Sequence, residues 1–579
     1  MRKKSKTLLS LLLACVLLAG CALPGGAGRE IEDASERLAE SAGGRGSMPR
    51  FEDIVYTRPD IEQLRQAVEA VQNALDSGES FKRVTRLIDA CYDSYYNFDT
   101  MYSLAEIRSY RDVTDGYYAA ELDWCEENYN VLQQLIEDMY YACGGSVQAQ
   151  QLEKRYFWDG FAEAYAQRGE TALNDEIVEL MRRESALLAR YRAITASPTI
   201  EVDGRELDYE EYLESLYGQD AYEDALVEYY RQYNGELSEL YIELVKVRRE
   251  LAGSLGYDSY EQMQYDYYFE RDYSPGEAEA YLADIKEHMV PFYMEVTKED
   301  LSSSIRYDSL SDRRLHRILS GAAGKMGGQV EEAFAFMSDC ELYDIEVSPV
   351  KAALSFETYL ADYDAPFLFL DPYGDMEDVL SFSHEFGHYV DAYVNYNAYE
   401  TVDVSECFSQ AMEYLMLFYY DGELDEEEID NLYRMKLLDT LDLYVQQASF
   451  AEFESRVYAA DPEELSAAFL NELSLRLARD YGYYDGEREE YYAMSWTDIT
   501  HFFEYPFYVV SYPVSNDAAM QIYELERRQD GAGLEKYLEL LPREHEGLIE
   551  TLRSCGLKSP FEPGRVEQVV LDLRQLLQR

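Results

Sequence analysis

Two histidines four residues apart, with a glutamate directly after the first, stand in the run His384-Glu385-Phe386-Gly387-His388. On a helix, residues i and i+4 leave the same face one turn apart, so both imidazoles can reach one ion. Such a pair suits tetrahedral zinc, and a catalytic zinc site takes a third protein ligand and leaves its fourth position to water. Glu385 is then free to accept a proton from the water beside the metal. The chain has only six histidines, so an H-E-x-x-H run by chance is improbable, on the order of one in a hundred. His288, His316 and His545 sit in charged helical surroundings and suggest no chemistry. His501 falls in an aromatic run, His501-Phe502-Phe503-Glu504-Tyr505, of a different character.

The elements that must carry these residues are helices. Asp375-Met376-Glu377-Asp378 is an acidic first turn and predicts a helix running to about Tyr393. A second helix begins near Asp403 and bears Glu406, Glu413 and an apolar face of Met412, Leu415 and Met416. Glu406 lies far enough beyond His388 for a helix end, a loop and an antiparallel return. It is a candidate third ligand, or equally one more surface acid among 114. Apolar residues at helical spacing also dominate from Phe51 onward, as in Leu64, Val68, Val71 and Leu75 after the N-cap candidate Asp60. Strand patterns are few: Thr199–Val202 before Asp203-Gly204, and the pair 352–360 and 365–370 just ahead of the histidine helix.

The formal net charge of −63 excludes a nucleic-acid partner, whose phosphates would be repelled. The 55 tyrosines suit half-buried helix faces and the walls of a wet cavity. At the N-terminus, Arg2, Lys3, Lys4 and Lys6 precede an apolar stretch from Leu8 to Ala19 that is too short to span a bilayer. It ends in Leu18-Ala19-Gly20-Cys21, which resembles a bacterial lipobox. That resemblance implies removal of residues 1–20 and lipid attachment at Cys21 on the extracytoplasmic face of a bacterial membrane. Residues 21–50 read as a flexible tether, 51–335 as a helical N-terminal part and 336–579 as the zinc-binding catalytic part. The body cysteines show no C-x-x-C pair and are expected as buried free thiols.

Residues 365–370, 374–379 and the histidine motif together resemble the oligoendopeptidase F and thimet oligopeptidase family of zinc metallopeptidases. Three further stretches agree, at 51–60, 404–413 and 500–512, so the resemblance spans nearly all of the chain after the tether. It implies a mainly α fold: a helical ellipsoid with a deep central channel, a gluzincin-like site and one small sheet beside it. It also implies one zinc ion per chain, held by His384, His388 and Glu406, with Glu385 as general base. By the same resemblance, His501 and Tyr508 bind the substrate carbonyl, with Tyr512 close by. Asp403 and Glu413 match carboxylates behind the ligands, Asp403 holding a ligand imidazole in one tautomer. The strand around Pro366 to Leu370 matches an edge along which substrate pairs, making Phe367, Phe369 and Gly374 substrate contacts. Val510 departs from the pattern, standing where such proteins often carry a tyrosine.

The function implied is hydrolysis of internal bonds in short unstructured peptides. Two other readings remain: a non-catalytic lipid-anchored peptide-binding protein, and a helical zinc carboxypeptidase.

Overall fold

The computed structural model describes residues 48–577, apart from 158–159, 167–174, 196–197, 203, 217–220, 299–303, 397–400 and 542–546. Cys21, the leader and nearly all of the tether lie outside the described residues.

Helices α1 (Ile61–Asp76), α2 (Phe81–Arg111) and α3 (Gly116–Gly144) come first. The Asp60 carboxylate caps α1 by accepting from the Gln63 N–H, which satisfies one of the donors a helix start leaves open. Leu64, Val68, Val71 and Leu75 are buried on one face of α1 and pack with Val84, Ile88, Leu132 and Leu135 into a core of their own. The hairpin expected at Thr199 forms, β1 (Thr199–Val202) pairing antiparallel with β2 (Arg205–Asp208). The six body cysteines are free, and all but Cys340 are buried.

The second sheet has three strands in the order β3 (Tyr343–Asp344), β5 (Ala365–Phe369), β4 (Phe356–Leu360). β4 pairs antiparallel with β5 in the register Phe356↔Phe369 to Leu360↔Ala365, and β3 lies parallel on the other side. β5 is therefore the central strand, and every residue in it is buried. This corrects the expectation that the segment is an edge for substrate, with Phe367 and Phe369 as contacts. Phe367 packs on Phe51 with ring centroids 4.4 Å apart, and Phe369 on Phe356 at 5.0 Å. An unbroken apolar run is the mark of a strand covered on both faces, and the mixed strand β4 forms the edge instead.

The site is carried by α4 (Asp378–Asn395), α5 (Val402–Met416), α6 (Glu426–Asp442), α7 (Ala448–Ala459) and α8 (Ser511–Arg528). In α5 every residue except Val402 and Ser405 is buried, because α4 covers one side and α8 the other. The approach of α4 to α5 depends on Gly387. A Cβ there would lie 2.5 Å from the Ser409 Cα and 2.7 Å from the Phe408 carbonyl oxygen. The two backbones touch at this point, which brings the histidine face of α4 against Glu406. Gly387→Ala is expected to wedge the helices apart, costing about 1–3 kcal/mol of stability and weakening metal binding. Thermal unfolding and a metal titration on the same protein check it.

Candidate metal centre

One donor atom from each of His384, His388 and Glu406 can be chosen so that all lie within 4.8 Å of one another. His384 Nε2 is 3.8 Å from Glu406 Oε2. Two imidazole nitrogens and a carboxylate oxygen converging on one point are a donor set that fits zinc.

Each ring is held from behind. His384 Nδ1 is 2.9 Å from Glu413 Oε1, so it donates there and leaves Nε2 for the ion. His388 Nδ1 is 3.1 Å from Ser405 Oγ. Such outer bonds fix tautomer and orientation. Behind Glu413 stands Lys436, fully enclosed on α6, its Nζ 2.6 Å from Glu413 Oε2 and 2.9 Å from Asp439 Oδ2. Asp403 does not hold an imidazole, contrary to the sequence expectation. Its carboxylate lies 3.5 Å from Arg271 Nε, and its carbonyl accepts the Ser515 hydroxyl at 2.7 Å. Asp403 lies one turn before Glu406 on much the same helix face, where Arg271 is its neighbour.

Burial alone would raise the Glu413 carboxyl, but Lys436 and His384 outweigh it and hold the group below the usual range. Burial likewise opposes charge on His384, yet the bond to Glu413 and the charges of Glu413, Glu406 and Glu385 carry it up to about 9. His388 is driven well below the ordinary value by burial, with His384 adding to the effect. Glu385 is 4% exposed, and burial pushes its carboxyl up to about 8, with His384 opposing and Glu406 and Glu413 adding. A metal displaces the proton on His384, so binding at neutral pH releases protons. Metal affinity is expected to rise with pH toward about 9 and then level off. Proton release measured by calorimetry in buffers of different ionisation enthalpy checks this.

A cavity of about 250 Å³ opens beside the ligands, lined by His384, Glu385, Gln410, Glu413, His501 and Tyr512, with an apolar wall including Leu380, Leu438 and Phe450. His501 Nε2 is 3.2 Å from the Tyr512 hydroxyl. Burial lowers His501 to about 4, which keeps the ring neutral. The Tyr508 hydroxyl donates to Glu406 Oε1 at 2.8 Å, and its ring centroid is 5.3 Å from that of His501. Val510 is buried beside Glu454, Phe507 and Tyr265, so its departure from tyrosine leaves Tyr508 and Tyr512 in place. Gly374 sits in a turn: with φ +78, its N–H donates to Asp378 and its carbonyl accepts from Leu310.

The profile of the peptidase M3 N-terminal domain matches residues 51–168, and that of peptidase family M3 matches residues 324–545. Together they cover more than half of the sequence. The chain belongs to peptidase family M3. As a member of that family, this M3 peptidase is a metallo-oligopeptidase. Its fold is that of several solved structures. A PZ peptidase A with an inhibitor is 23% identical with TM-score 0.76, covering 92% of this chain and 99% of its own. A structure named oligoendopeptidase F is 24% identical with the same coverage and TM-score. Another of that name, from Bacillus anthracis str. Ames, is 24% identical with TM-score 0.71, covering 92% and 98%. No curated protein sequence is matched.

The structure adds Ser405, Lys436 and Arg271 to the residues around the centre of the M3 peptidase. Lys436 had a sequence signal, a lone cation in the apolar run Met435-Lys436-Leu437-Leu438. Arg271 had none. It lies between the two matched profiles, far in sequence from the helices it braces.

Proposed function

We propose that this M3 peptidase cleaves internal bonds of short unstructured peptides at one zinc ion held by His384, His388 and Glu406. The convergence of those three donors beside a buried Glu385 carries the reading. When bound, zinc would act as a Lewis acid toward the scissile carbonyl and raise the acidity of a neighbouring water. Glu385 takes the proton from the attacking water and passes it to the leaving amine. The Tyr512 hydroxyl and His501, which line the same cavity, supply hydrogen bonds to the carbonyl oxygen as it gains charge. Tyr508 holds the ligand carboxylate of Glu406 and stands close enough to His501 to join that group. Glu357, on the edge strand β4, lies within electrostatic reach of Glu385 and Asp391. That strand is the backbone along which an extended peptide pairs.

The basic and apolar leader ending at Cys21 supports a lipid-anchored protein outside the cytoplasm. No helix among the described residues is long and apolar enough to cross a membrane. The test is zinc content together with product masses from a library of end-blocked peptides. Internal products and intact folded proteins are expected; loss of terminal residues alone, or equal digestion of folded proteins, sinks the reading. A Cys21→Ser chain recovered in the membrane fraction like the parent would refute the anchor.

A further inference from the structure

We infer that Arg271 and Glu454 form a clamp on the backbone of Phe507 that sets the Tyr508 hydroxyl onto Glu406. The inference rests on the proposed role of Glu406 as a metal ligand.

Phe507 has φ +66, in the left-handed region that bulky L residues avoid. Such a conformation persists only where its surroundings over-determine it. Here both faces of the residue are gripped. Its N–H donates to Glu454 Oε1 at 2.9 Å, and its carbonyl accepts from Arg271 Nη2, also at 2.9 Å. Glu454, on α7, is wholly enclosed, as is the Arg271 side chain. The guanidinium sits over the rings of Phe269 at 4.4 Å and Tyr265 at 4.5 Å, and cation–π attraction strengthens where water is excluded.

The same guanidinium reaches both elements whose spacing matters. Nη2 donates to Ser511 Oγ at 2.7 Å at the start of α8, and Nε lies 3.5 Å from Asp403 on α5. Asp403 is one turn before Glu406, so Arg271 registers the segment carrying Tyr508 against the helix carrying the ligand. Phe269, beneath the guanidinium, also meets the Tyr508 ring edge-on at 6.1 Å. The outcome is the 2.8 Å bond from Tyr508 to Glu406 Oε1, which turns Oε2 toward His384. Arg271 and Glu454 are positioning residues: they act on the centre through Tyr508.

The test compares full-length protein with Arg271→Lys, Tyr508→Phe and the double variant, reading zinc affinity by chelator competition alongside kcat, KM and Tm. Lysine keeps the charge but loses the planar fork. Each single variant is expected to weaken zinc binding by about tenfold and to lower kcat. The double variant is expected to be no weaker than Tyr508→Phe alone, because both changes remove one contact. Multiplied losses in the double variant overturn the clamp, as does a loss with Arg271→Lys when Tyr508→Phe has no effect. Parent protein that binds no zinc refutes the function reading itself, a separate result. If Arg271→Lys does not fold, adding Phe507→Gly, which takes φ +66 without strain, is expected to return folded, zinc-binding protein. Failure to do so overturns the proposal.

Discussion

Glu385→Gln is expected to lower kcat by about 10³-fold or more while leaving metal content unchanged. Glutamine has the shape of glutamate and fills the same 4% exposed position, so the packing of α4 is kept. It cannot take a proton from water, and that is the one capacity removed. The converging donor set is His384, His388 and Glu406, so the substitution deletes no ligand. Metal analysis and kcat on one preparation decide the matter. Hydrolysis at the parent rate with metal still bound would remove Glu385 from the mechanism.

Lys436→Met has the second large effect. The ammonium is wholly enclosed and shared between Glu413 and Asp439. Methionine matches its length but leaves the two carboxylates without the ammonium between them. Removing one partner of a buried ion pair costs about 3–5 kcal/mol, and apparent Tm should fall accordingly. The loss also travels outward. Glu413 no longer has a fixed oxygen to offer His384 Nδ1, and metal affinity is expected to drop by about 10–100-fold. Lys436→Arg, which keeps the charge, separates the two effects: it should retain more stability than metal affinity, since the larger fork cannot reproduce the 2.6 Å contact. A Lys436→Met protein with parent Tm and parent metal affinity would contradict this account.

The parts of the site legible in the sequence were those fixed by local periodicity. The i, i+4 spacing places His384 and His388 on one face without knowledge of anything else. Glu406 needed the return of α5 across α4, which the sequence left even between ligand and surface acid. What brings it beside the two histidines is the backbone contact at Gly387, a feature of two helices together. The resemblance placed Tyr508 near the centre, whereas its bond to Glu406 spans 102 positions and is set by packing. Asp403 and the strand 365–369 show the opposite failure. A carboxylate beside a ligand helix looks like a partner for imidazole until the buried Arg271 claims it. An apolar strand before the site looks like a substrate edge until β3 and β4 cover both of its sides. Each was decided by neighbours outside its own element, which periodicity does not report.

The contact at Gly387 also bears on how freely the segment could drift under mutation. In the five-residue run, chemistry asks only for the two histidines and the glutamate. Yet Gly387 has no room for a methyl group, and Phe386 is fully buried against Phe334, with ring centroids 5.4 Å apart. A library randomised over 384–388 and selected for activity should therefore return little variety even at Phe386 and Gly387, the two positions with no part in the chemistry. The spacer between the ligands is constrained as a joint between helices.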